Sequence, residues 1–89
     1  MTVKYWIHAP GLERWSRLFI SPQPEMGNVY VATVVYHHLV EGKDSLGEFR
    51  EVLDVSHKNF VGQTEEEALK QARTWLENEF GEKVHIKRL

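Results

Sequence analysis

Histidine is the residue type of this chain that is most able to do chemistry, because its imidazole binds metals and exchanges protons near neutral pH. The sequence contains five histidines: His8, His37, His38, His57 and His85. A metal site needs ligands that converge from one side, and the adjacent pair His37 and His38 points to opposite faces of a strand. The sequence has no cysteine and no pair of histidines at the spacing of a helical metal motif. One histidine from each of three strands would still be able to converge on a metal, but no spacing in the sequence indicates this, and we expect neither a metal nor another cofactor.

The acidic and hydroxyl side chains do not form a catalytic pattern either. Residues 65–67 are glutamates at the start of a helix, where the helix dipole favours negative charge. Glu51 and Asp54 are three residues apart on a strand and therefore point to opposite faces. No serine lies in a Gly-x-Ser-x-Gly sequence, and no glycine-rich phosphate-binding motif is present. We predict that the chain is not an enzyme.

Aromatic and basic residues are interleaved near the N-terminus, as Lys-Tyr-Trp at residues 4–6 and Arg-Trp-Ser-Arg at residues 14–17. RNA-binding sheets stack bases on exposed aromatic rings beside Arg and Lys. Residues 83–89 add three cations and no carboxylate, so pairing of the two chain ends would create a basic strip on a chain of net charge −2. The alternative is that Trp15, which has the strand spacing to Phe19, is a core residue. A weak nucleic-acid-binding module is thus one hypothesis, and its residues would be Lys4, Trp6, Arg14, Arg17, Lys83, Lys87 and Arg88.

The element that the sequence predicts most clearly is an amphipathic helix over residues 64–80. Thr64 is its N-cap, Glu67 completes a capping box, and Gly81 ends the helix. The apolar stripe of this helix recurs at spacings of three and four and consists of Ala68, Leu69, Ala72, Trp75, Leu76 and Phe80.

The remaining segments have the composition of strands and of the loops between them. The predicted strands are residues 3–8, 14–20, 29–40, 48–55 and 84–87, with a short continuation at 60–62. Residues 14–20 also fit a short helix that starts at Pro10, residues 56–59 fit a turn or a bulge, and residues 21–28 and 41–47 are predicted loops. Short connections favour antiparallel pairing. We predict a single α+β domain over residues 1–89: a small, mainly antiparallel sheet of four to five strands with one helix, in the C-terminal half, on one face, in the order ββββαβ.

Residues 60–72 (Phe-Val-Gly-Gln-Thr-Glu-Glu-Glu-Ala-Leu-Lys-Gln-Ala) resemble the Gly-x-Thr-x-Glu-Glu-Ala-Leu-x-x-Ala helix start of HicB-like antitoxin domains. The resemblance implies a small sheet packed on such a helix, similar to a partial RNase H fold, and a toxin as partner. It covers about a dozen residues of 89. Because the chain lacks the Pro-Asp-x-x-Gly-Cys-type approach to the helix and a DNA-binding extension, the family is not assigned.

One helix covers one face of a sheet, and the strand at residues 29–40 is apolar on both faces. The second face would leave a larger apolar patch than soluble monomers usually expose. A second copy, stacked face to face or paired along an edge strand, would cover it; folding of residues 9–28 over that face is the alternative. The favoured hypothesis is a non-enzymatic domain that acts by protein association as a homodimer, with another protein as a further candidate partner and nucleic acid less favoured. The predicted interface anchors are Trp6, Tyr30 and Tyr36.

The sequence contains no apolar run of about 20 residues and no apolar signal-peptide region near its start. We therefore expect a cytoplasmic protein with no membrane partner.

Overall fold

A computed structural model describes residues 2–43 and 46–89 of the chain. In chain order these residues form β1 (Val3–His8), β2 (Arg17–Gln23), a 3-10 turn (Pro24–Met26), β3 (Val29–Lys43), β4 (Phe49–Gly62), α1 (Glu65–Phe80) and β5 (His85–Arg88). The strands make one antiparallel sheet in the order β4-β3-β2-β1-β5, and α1 packs on one of its faces. The predicted α+β class and ββββαβ order are confirmed. In the described part of the chain, no helix has the length and apolar character needed to cross a membrane.

The predicted helix boundaries are confirmed to within one residue. The Thr64 hydroxyl oxygen accepts a hydrogen bond from the Glu67 N–H at 3.0 Å. The Glu67 carboxylate accepts in turn from the Gln63 N–H at 3.4 Å rather than from that of Thr64, so the reciprocal half of the capping box is displaced by one residue. Gly81 ends the helix at φ 91°, and its N–H donates to the Glu77 carbonyl.

Small side chains allow α1 to lie close to the sheet. Ala68 and Ala72 on the helix and Ala32 on β3 are all completely buried. The approach is closest at the end of β4, where a Cβ placed on Gly62 would lie 2.5 Å from the Ala68 nitrogen. The buried core consists of Tyr5, Ile7, Leu18, Ile20, Ala32, Val34, Ala68, Ala72, Leu76 and Val84.

Strand β2 begins three residues later than the predicted segment 14–20, because Ser16 belongs to the turn that precedes it. Ser16 is completely buried, and its hydroxyl oxygen accepts a hydrogen bond from the His37 N–H at 3.1 Å. Its own N–H donates to the Glu13 carbonyl, and the Glu13 N–H donates to the His37 carbonyl. The turn therefore pairs with β3 where β2 has not yet begun. Trp15, 56% exposed, is not the core residue that its spacing suggested.

Strand β2 also continues into the predicted loop 21–28, to Gln23. The last register pair between β1 and β2 is Val3 with Ile20, whereas Pro22 is paired with Tyr30 of β3. Proline is tolerated there because the strand has a neighbour on one side only.

Strands β3 and β4 form one continuous hairpin, so the turn or bulge considered at residues 56–59 does not occur. Their register runs from the pair Tyr30 and Gly62 to the pair Lys43 and Phe49, whereas β2 reaches β3 only as far as Val35. Residues 38–43 and 49–54 consequently extend beyond the sheet as a two-stranded arm, and the molecule measures 49 × 29 × 22 Å. Residues 44 and 45 of the predicted loop 41–47 lie outside the described residues.

Candidate functional site on the open sheet face

The sheet face opposite α1, called here the open face, is the candidate site. Side chains alternate between the faces of a strand, so the partners of the buried residues identify this face. Residues 9–28 were considered above as its cover, but residues 17–23 of this segment form strand β2 of the sheet itself. Ala9 and Leu12 pack against the helix-side core instead, and a Cβ on Gly11 would lie 3.7 Å from the Phe80 ring.

One half of the open face, on β3 and β4, carries four exposed aliphatic side chains and is called here the apolar half; its other positions include His57 and Asn59 and, on the arm, the pair Glu41 and Glu51. Leu39 is 51% exposed, Leu53 53%, Val55 56% and Val61 45%. Leu39 and Leu53 are register partners on the arm, and Val31 and Val61 are register partners at the other end of the hairpin. Leu53 and Val55 of β4 have the spacing of one strand face in the sequence, but they were not among the predicted interface anchors. Their alternation with Asp54 and Ser56 is the signal that identifies them, because it places Leu53 and Val55 on one face of β4.

The other half of the open face, on β1, β2 and β5, is basic and aromatic. The register places Lys87, Trp6 and Arg17 side by side across the three strands. Lys4 and Phe19 form the next cross-strand pair on the same face. We call these five residues the basic–aromatic cluster. Among the described open-face positions of β1, β2, β5 and residues 29–37 of β3, none is Asp or Glu.

The structure divides the residues of the nucleic-acid hypothesis among three places. Lys4, Trp6, Arg17 and Lys87 come together in the basic–aromatic cluster. Arg14 and Lys83 line an open cleft at one end of the sheet, together with His8 and His85. Arg88 lies on the helix side, beside Tyr5 and Glu65.

Of the three predicted interface anchors, only Trp6 lies on the open face. Tyr30 and Tyr36 are on the helix side, so the interpretation of these two as free of the helix-facing core was wrong. The Tyr36 ring centre lies 5.4 Å from that of Trp75 and 6.1 Å from that of Phe80. The reason is strand parity: Ala32 must face the helix to let it approach, and Tyr30 and Tyr36 point to the same side as Ala32.

The histidines do not form a metal centre in the described part of the chain, where no group of three metal-binding side chains converges. His37 and His38 point to opposite faces, as the sequence indicated. At the base of the arm, His38 Nε2 lies 3.3 Å from the Ser56 hydroxyl and 3.6 Å from an Asp54 carboxylate oxygen.

A polar contact links β1 to the start of α1 on the helix side. The Tyr5 hydroxyl donates a hydrogen bond to a Glu65 carboxylate oxygen at 3.2 Å. Burial raises the pKa of Tyr5 above its ordinary value of 10.0; the hydrogen bond to the Glu65 carboxylate and its negative charge raise it further, and Arg88 partly offsets these effects.

Comparisons of the chain with protein-family models, with curated proteins and with solved structures find no match. The open face is therefore interpreted from its own residues.

Proposed function

We propose that the chain is a non-enzymatic, cytoplasmic association domain that forms a homodimer through the apolar half of its open face. The observation that carries this proposal is the exposure of Leu39, Leu53, Val55 and Val61 on the same face of the β3–β4 hairpin. Burial of a large aliphatic side chain stabilises an interface by about 1.5–3 kcal/mol, so this surface offers enough apolar area to drive association.

The amount of exposed surface supports a second copy as the occupant. The accessible surface is 6291 Å², whereas a compact monomer of this mass exposes about 5400 Å². The excess of about 900 Å² matches the roughly 800 Å² that each partner buries in a standard interface. The Cα radius of gyration is likewise 15.0 Å, compared with about 12 Å for a compact domain of this length.

The charge distribution restricts how two copies pair. Full overlap of the two open faces would bury the cations of each basic–aromatic cluster either against those of the other cluster or against the exposed aliphatic side chains of the other copy, and both are unfavourable. A two-fold axis that lies between the faces and crosses the strands near His37 avoids this. Each arm then covers β3 and β4 of the other copy, and the basic–aromatic clusters, which lie on the far side of that axis, have no strand opposite them.

The test compares two neighbouring residues of the arm that point to opposite faces. Leu53 is on the open face and 53% exposed, and Val52 is on the other face and 41% exposed. The Leu53→Glu substitution places two new carboxylates in the interface, one from each copy, because the interface is two-fold symmetric. If each carboxylate reduces the association free energy by about 1.4 kcal/mol, the dissociation constant of the dimer rises about 100-fold. Analytical ultracentrifugation over a dilution series measures this constant.

The control variant Val52→Glu adds the same charge to the same strand and is expected to leave the dissociation constant within about threefold of wild type. Circular dichroism should show both variants folded, since neither residue is in the core. Equal weakening by the two substitutions, or none by Leu53→Glu, would contradict an interface on the open face.

A further inference from the structure

We infer that the basic–aromatic cluster (Lys4, Trp6, Arg17, Phe19 and Lys87) binds single-stranded nucleic acid. These residues are distinct from the apolar residues of the proposed dimer interface, so the two proposals stand independently. The inference starts from the order of the side chains. In one cross-strand row Trp6 lies between Lys87 and Arg17, and in the next row Lys4 neighbours Phe19. Each ring is therefore next to cations both across and along the strands.

Arg17 is held in place before any ligand arrives. Its guanidinium carbon lies 3.6 Å from the centre of the Trp6 ring and 5.7 Å from that of Trp15. Its Nη1 donates a hydrogen bond to the Trp15 carbonyl at 3.1 Å. A planar guanidinium fixed on an indole offers a flat, positively charged surface on which a nucleobase stacks while the charge attracts phosphate. Because the side chain is already ordered, binding costs less conformational entropy.

The charge of the cluster identifies an anion as the ligand. The whole chain has a net charge of −2, yet the cluster combines three cations with no carboxylate at the described neighbouring positions of the open face. Such segregation on an acidic chain attracts polyanions locally. An acidic peptide would use the cations but not the rings. The pairing of rings with cations favours a ligand with both phosphates and free flat bases, which a single strand has and a duplex does not.

The experiment measures fluorescence anisotropy of labelled twelve-nucleotide probes, oligo-dT and oligo-U, with the wild-type chain at about 50 mM salt. We expect micromolar binding and a decrease of log K with log salt of slope about −2, because three cations each contribute about 0.7 on a single strand. Comparison of the two probes shows whether the cluster prefers single-stranded DNA or single-stranded RNA. A duplex of the same length is expected to bind at least fivefold more weakly.

A matched pair of double variants locates the site. Arg17→Gln with Lys87→Gln removes two charges from the cluster, and Arg14→Gln with Lys83→Gln removes two charges from the cleft at the sheet end. The first is expected to weaken binding about tenfold and to leave a slope of about −0.7, because one of the three cations remains, and the second to have an effect of less than threefold. Trp6→Leu, which keeps apolar bulk without a ring, is expected to weaken binding about fivefold.

No binding of wild type to either probe at low salt would overturn the inference. So would equal loss in the two double variants, or equal affinity for single strand and duplex. The Leu53→Glu variant separates this result from the dimer proposal: a monomeric variant that still binds the probes supports the cluster whether or not the chain dimerises.

Discussion

At the scale of single residues, the face on which a strand side chain lies depends on whether its position is odd or even. For β3, the amino-acid composition did not show which of the two alternating sets faces the helix. Both of its alternating sets are apolar, so alternation does not say which set faces the helix. The sequence of the helix supplies the missing information, because its apolar stripe contains the small residues Ala68 and Ala72. Such a stripe comes closest to the sheet where the facing strand also has a small side chain, and on β3 that residue is Ala32. Tyr30 and Tyr36, at even spacing from Ala32, therefore lie on the helix side. Trp6 lies between the buried residues Tyr5 and Ile7 of β1 and is therefore on the open face.

Tyr5 provides a prediction at this scale. Its pKa is raised in the folded chain above 10.0, by burial first and by Glu65 second. At high pH the unfolded chain loses this proton before the folded chain does, so the unfolded state binds fewer protons and the free energy of unfolding falls as pH rises. The stabilisation is fully present below pH 10.0 and is lost as the pH rises through the folded-state pKa.

Urea denaturation at a series of pH values on both sides of 10.0 measures this effect. We expect the Tyr5→Phe substitution to remove the part of the decrease in unfolding free energy at high pH that is caused by ionisation of the Tyr5 hydroxyl. Tyr30→Phe, which removes a hydroxyl elsewhere on the helix side, is the control and should retain that part. If the unfolding free energy decreases equally at high pH in Tyr5→Phe and in wild type, Tyr5 is not the cause of the decrease.

At the scale of elements, α1 was predictable because its N-cap, its apolar stripe and its terminal glycine agree with one another. The β3–β4 hairpin was less predictable, because its length depends on partners distant in sequence. Asn59 looks like a turn residue, yet its side-chain oxygen accepts a hydrogen bond from the Thr33 hydroxyl at 2.7 Å across the sheet. Pairing with β3 keeps residues 56–59 in strand conformation, and local composition does not reveal this pairing.

The junction of β4 and α1 at Gly62 provides the prediction for this scale. A Cβ there would lie 2.5 Å from the Ala68 nitrogen and 3.0 Å from its Cα, and these backbone atoms cannot move aside without displacing the helix. We expect Gly62→Ala to lower the free energy of unfolding by about 1–3 kcal/mol, as overpacking does elsewhere. Chemical denaturation monitored by circular dichroism measures the change.

Gly42 serves as the control for this substitution. A Cβ at Gly42 would meet only the Val52 methyl groups, the nearer at 3.2 Å, on the arm rather than in the core. The loss in Gly42→Ala should be clearly smaller than in Gly62→Ala. Equal effects would mean that the contact between Gly62 and the helix does not limit stability.

At the scale of the whole molecule, the shape is that of a sheet covered on one face with an arm that extends beyond it. The helix side holds the buried core, and the open face combines an apolar half with a basic–aromatic half. The sequence predicted the single helix and the uncovered face, because both follow from the number and type of elements. It did not predict the arm or the separation of the two halves, because both depend on the register between strands.

In the proposed homodimer, a second copy covers the apolar half of the open face. Sedimentation equilibrium of the wild-type chain at micromolar concentration, without nucleic acid, tests it most directly. A homodimer gives a mass of twice the 10.4 kDa of one chain, with dissociation on dilution. A mass of 10.4 kDa at every concentration would contradict it.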